Sequence, residues 1–345
     1  MKKRYEYLDI AKGIGILMVV WAHILVVGWS HRFIYAFHMP LFFFISGYLF
    51  NSAKYPSFKA FISKRFKRLF IPYVIYSVVT WAIWAVFRYL SGADVESYWM
   101  PLLQTFIAQG SGAFFVHNSP LWFIPCLFAV EIMYFFICKA GEIKGLLICF
   151  LIAFSGVLLA HQYGSAYLQI MPWNLDAAFY ALPFYGLAHV IHRHISHQQV
   201  MESVETHRPL SLGIILLLFS AVWYLAMNFG ECSMGSSGYN CNEGIFFLRA
   251  FIGCFAMVIL SAFISTIKPI SLFRKTMTWC GTNSLDIMCT HVPIKGIAII
   301  LVAKLLHPVI DVSSSGSLSL VAFIITMAVS VPLIMAINKY LRKHN

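Results

Sequence analysis

Asp9, Lys12 and His23 lie inside the apolar stretch 7–27, YLDIAKGIGILMVVWAHILVV, where titratable groups are costly and mark function by default. Eleven positions separate Lys12 from His23. At ~100° per residue they return to nearly the same helix face, and at ~1.5 Å rise they stand roughly 16 Å apart. A cation at one end of such a stripe suits an anionic group. A histidine at the other suits proton transfer or substrate contact. Asp9 is placed to orient Lys12 through an i,i+3 contact.

A second pair follows the same logic: His291 lies five residues after Asp286 in one late apolar segment, so both are candidate site residues. His38, just before Met39-Pro40, is either an interfacial structural residue or a substrate contact. Arg65 and Arg68, three apart before Pro72, would share a helix face and could bring two guanidinium forks onto one phosphate. The competing reading is a basic cluster serving topology and lipid electrostatics, with Lys59, Lys64 and Lys67. Glu131 is a carboxylate within an apolar run, either facing substrate or pairing with a membrane arginine. Trp122 and Trp173 read as interfacial belt residues or as stacking platforms for a substrate.

The elements that must position these groups are membrane helices. Hydrophobic residues make up 60% of the 345 and charged ones only 11%, far from the roughly 25% of a soluble domain. Runs long enough to cross ~30 Å of hydrocarbon fall at about 8–28, 34–51, 70–90, 121–138, 145–162, 175–191, 210–229, 245–267, 283–304 and 317–338. Ten crossings put both termini on one side. Lys and Arg concentrate in the tails and in alternate loops, which predicts both termini in the cytoplasm by the positive-inside rule. This distribution also accounts for the net charge of +12 without nucleic acid as partner. The expected fold is an all-α polytopic bundle of about ten transmembrane helices. One membrane domain, residues 1–345, takes up the whole chain, with membrane lipids as its surroundings.

The remaining motifs are less specific. Cys232 and Cys241 flank a Gly/Ser-rich loop expected outside, where they form either a disulfide or two free thiols. His189, His192, His194 and His197 cluster at one span end, but no Cys, Asp or Glu completes a ligand set, so a polar loop is expected and no metal. No internal repeat is visible. A repeat would have favoured the main alternative, a permease or exporter of a glycan or small metabolite.

Five segments together resemble the membrane acyltransferase-3 family, in particular its fucose O-acetylase-like sugar acetyltransferases. Residues 7–23 are similar to the family's opening helix, with an arginine or lysine followed by histidine, here Lys12 and His23. Residues 36–50 resemble its second helix, residues 64–72 its Arg-x-x-Arg segment, residues 121–128 its fourth helix and residues 279–294 its late helix carrying histidine. The resemblance spans essentially the whole chain. It implies an O-acyltransferase of the bacterial cytoplasmic (inner) membrane, moving an acetyl group from acetyl-CoA to a hydroxyl of a cell-envelope carbohydrate, free or lipid-linked. On that reading His23, His291 and Asp9 are catalytic; Lys12, Arg65 and Arg68 bind acetyl-CoA; and His38, Glu131, Trp122 and Asp286 contact substrate. Lys12 stands where many members carry arginine, and a lysine lacks the bidentate fork.

Overall fold

The computed structural model describes residues 4–107, 116–163, 171–231, 233–234, 242–305 and 312–344. Cys232 and Cys241 lie outside the described residues. The described chain is helical throughout: α1 (Glu6–Ile24), α2 (Trp29–Tyr35), α3 (His38–Tyr48), α4 (Phe58–Arg65), α5 (Ile71–Leu90), α6 (Met100–Ile107), α7 (Phe123–Ile137), α8 (Glu142–Tyr163), α9 (Leu175–His194), α10 (His197–Thr206), α11 (Arg208–Asn228), α12 (Glu243–Thr266), α13 (Ser271–Thr282), α14 (Ser284–Leu305) and α15 (Gly316–His344).

Among the described residues, eight helical segments are long and apolar enough to cross a membrane, built on α1, α4–α5, α7, α8, α11, α12, α14 and α15. The two other expected spans take different forms. The stretch 34–51 breaks at Tyr35–Phe37, leaving the 11-residue α3. At ~1.5 Å per residue that covers roughly half of the ~30 Å hydrocarbon layer. Nearly every residue of α3 is buried, so its apolar sequence is that of a core helix. The stretch 175–191 becomes the 20-residue α9, which carries Asp176, Pro183, His189, His192 and Arg193 and packs on α3, α7 and α8. Their contact is close: a side chain at Gly47 of α3 would run into the Tyr185 carbonyl of α9.

A π-helical turn over Phe66–Phe70 joins α4 to α5, so the basic segment continues the helix of the following span. The other close approach is between α1 and α13. A Cβ on Gly281 would meet the Asp9 carbonyl, and one on Gly13 would meet the Met277 carbonyl, so backbone lies on backbone. Small residues permit such contact where lipid supplies no hydrophobic drive to pack. This contact, with the bidentate Arg274–Glu6 ion pair at 2.8–3.1 Å, fixes the Asp9–Lys12 end of α1. Arg4 and Lys339 line one cavity, so the two ends of the described chain meet at the same end of the bundle.

Candidate active site

At its first turns α1 holds Asp9, buried, with Lys12 Nζ at 2.6 Å from one carboxylate oxygen and Arg4 Nε at 3.4 Å from the other. The predicted i,i+3 contact is present. From Lys12 the helix runs unbroken to His23, a rise of ~16 Å. It ends at Ile24, and Leu25 is extended. The last carbonyls of a helix lack an amide four residues on and need another donor. For His23 that donor is Lys295, whose ammonium reaches the His23 carbonyl oxygen at 2.6 Å.

Lys295 brings His291 with it, one turn earlier on α14. The His23 and His291 rings stand with centroids 5.2 Å apart. His291 is fully buried, and its Nδ1 lies 3.0 Å from the Ile287 carbonyl oxygen. A carbonyl only accepts, so Nδ1 carries the hydrogen and Nε2 of the neutral ring keeps its lone pair. Among the described residues Nε2 has no hydrogen-bond partner. His23 is only half-buried, so of the two rings it is the one a substrate can touch.

His38 opens α3 with the same tautomer, its Nδ1 donating to the Ile34 carbonyl at 2.8 Å. Its ring lies 4.9 Å from that of Tyr35, which stacks at 4.1 Å on His31. His31 in turn meets Glu231 at 3.0 Å. His23 thus has the His291 ring beside its own and the Lys295 ammonium on its carbonyl, a polar cluster at this end of α1. Asn118 closes a further side: buried, it donates from Nδ2 to the Cys289 carbonyl at 2.7 Å, two residues before His291. Trp122 follows in the 3-10 turn Ser119–Trp122, which packs on α14, and is buried.

The other predicted residues are placed elsewhere. Asp286 does not face the histidine pair; it accepts a hydrogen bond from the Tyr76 hydroxyl at 2.8 Å and lines the cavity that holds Arg4 and Lys339. Arg65 turns inward to an ion pair with Glu131 at 3.1 Å, both well buried, whereas Arg68 is exposed. The π turn between them rotates less per residue than an α turn, so a three-residue spacing no longer sets both on one face. The histidines at the end of α9 disperse among separate partners: His189 on the Tyr134 hydroxyl, His194 on Glu142, and His192 and His197 against tyrosine rings. Trp173 packs between Phe70 and Phe128.

Lys295, Asn118 and His31 complete the surroundings of the histidine pair, Tyr76 those of Asp286, and none of the four was singled out from the sequence. A signal existed for Lys295, a lysine inside an apolar run at i+4 from His291. For Asn118 and Tyr76 there was none, because their partners lie 171 and 210 residues away. The model of one protein family, described as an acyltransferase domain, matches residues 5–338. No curated protein and no solved structure matches the chain.

Proposed function

The chain belongs to the acyltransferase-3 family and is a membrane acyltransferase, and from that premise we propose that it transfers an acetyl group from acetyl-CoA to a hydroxyl of a cell-envelope carbohydrate, as the fucose O-acetylase-like members of the family do. The setting is the bacterial cytoplasmic membrane, with both termini on the cytoplasmic side. The observation that carries this reading is the His23–His291 pair, at the opposite end of α1 from the Asp9–Lys12 pair. The two polar ends of one helix are ~16 Å apart, a span suited to a long thioester donor whose charge sits at one end.

In this reading the acceptor hydroxyl attacks the thioester carbonyl while His23 takes its proton. A carbon–oxygen bond forms, the carbon–sulfur bond breaks, and the imidazolium returns the proton to the departing thiolate. His291 stands behind His23 in a fixed tautomer. Lys295 holds the end of α1 in place, and His38, whose ring lies against Tyr35 and through it His31, is assigned to the acceptor. Lys12 and Asp9 form the donor end.

The experiment is transfer of labelled acetyl from acetyl-CoA by purified protein to membrane glycan, followed by mild alkaline release of the ester. Wild type gives alkali-labile label, and His23→Ala gives none. Label that stays on the protein and disappears in His23→Ala would assign His23 as acyl carrier in place of base. Transfer by His23→Ala at the wild-type rate would defeat the proposal.

A further inference from the structure

A cavity of about 520 Å³ opens at the end of the bundle where the chain termini meet, between α13, α14 and α15. That is within the range of small-molecule sites, 300–1,000 Å³. Its walls are polar and held in shape. Asn338 of α15 donates from Nδ2 to Oδ1 of Asn283 at 2.7 Å, and Asn283 donates in turn to the Trp279 carbonyl at 2.7 Å. The half-buried Trp279 supplies an indole wall. Two cations, Arg4 and Lys339, line the cavity with one carboxylate, Asp286, which is engaged by Tyr76. Among the described residues Lys339 has no ion-pair partner, and Arg4, largely exposed, reaches Asp9 with Nε at 3.4 Å.

The Arg65–Arg68 segment offers less to an anion. The Arg65 charge is already met by Glu131 in a buried pair. By contrast the cavity-lining Arg4 reaches Asp9, and Gly281, between the lining residues Trp279 and Thr282, lies against the Asp9 carbonyl, so the cavity adjoins the Asp9–Lys12 end of α1. Asp286 stands five residues, ~7.5 Å of helix, from His291.

We infer that this cavity holds the phosphate-bearing nucleotide head of the acyl donor, with Arg4 and Lys339 on the phosphates and Trp279 against the base. The inference rests on the acyl-CoA reading above. Guanidinium and ammonium groups suit phosphate oxygens, and aromatic faces stack on nucleobases. An anionic lipid head group shares the phosphate chemistry and is separated from the donor by the test.

The test uses the full chain in phosphatidylcholine nanodiscs, comparing wild type with the Arg4→Ala/Lys339→Ala double variant. Equilibrium binding of CoA should weaken at least tenfold in the variant. KM for acetyl-CoA should rise to match, whereas kcat/KM for S-acetylpantetheine, which lacks the nucleotide, should stay within twofold. Trp279→Leu should weaken CoA binding in the same way. Unchanged CoA binding by the double variant, with turnover of acetyl-CoA retained, overturns the cavity assignment and leaves the acyltransferase reading standing. An equal loss with both thioesters also overturns it, since the damage is then not to nucleotide binding. In nanodiscs doped with phosphatidylglycerol, retention of that lipid by wild type and its loss in the double variant by native mass spectrometry, with CoA binding unchanged, assigns the cavity to lipid instead. A wild type that neither binds CoA nor consumes either thioester overturns the acyl-CoA reading, and this inference with it.

Discussion

Replacing Lys295 by methionine keeps the length and apolar stem of the side chain but removes the ammonium that caps α1 at the His23 carbonyl. A hydrogen bond from a charged donor contributes about 1.5–3 kcal/mol, and the carbonyl left behind is partly buried beside His291. If that energy holds His23 in its reactive position, losing it lowers kcat by about 10- to 150-fold, at 1.36 kcal/mol per tenfold. Lys295 touches backbone, so it is a positioning residue and the donor's KM should not move. Steady-state turnover of acetyl-CoA by purified Lys295→Met measures both constants. Lys295→Arg, which restores a cationic donor of different shape, should recover part of the kcat. A Lys295→Met enzyme with kcat within twofold of wild type would refute the reasoning. So would a rise in KM at constant kcat, since the ammonium would then be binding substrate.

Three further outcomes follow from the geometry. Gly281→Ala drives a methyl group into the Asp9 carbonyl. Overpacking of that kind costs about 1–3 kcal/mol, read as a lower unfolding midpoint in detergent. Arg65→Met strands Glu131 as a buried unpaired carboxylate and should cost about 3–5 kcal/mol, whereas Arg65→Met/Glu131→Leu should unfold at a clearly higher temperature than the single variant. Equal midpoints would show that the pair carries no coupling. His117 lies just before the α7 span, and burial lowers its imidazole from 6.5 to about 4. Its unfolded form therefore binds a proton that the folded form refuses between those values. Stability is full above pH 6.5 and falls as the pH drops towards 4, by about 3 kcal/mol from this residue. His117→Gln should flatten that part of the unfolding profile.

The residues proposed to carry chemistry stood out in the sequence one at a time; their partnerships did not. His23 and His291 each stood out as a titratable residue in an apolar run, yet 268 positions separate them and only the packing of α14 on α1 brings their rings to 5.2 Å. The Asp9–Lys12 contact was local and followed from helix spacing. Arg65 and Arg68 were read on α-helical spacing, which the π turn altered, and Glu131 was open to either of two roles until α7 placed it on Arg65. Hydropathy found the membrane character of 34–51 and 175–191. It could not separate a lipid-facing span from a helix buried in protein, because both are apolar for the same reason. Arg4 and Lys339 looked like topology signals at opposite ends of the chain, and only the fold places both on one cavity.

The most direct measurement is the rate at which purified protein moves labelled acetyl from acetyl-CoA to an acceptor glycan, compared across wild type, His23→Ala and His291→Ala with equal folded fractions. The His23–His291 account predicts transfer by wild type, none above background for His23→Ala, and a loss of at least a hundredfold for His291→Ala. Wild-type transfer that survives either substitution within a few-fold would contradict it.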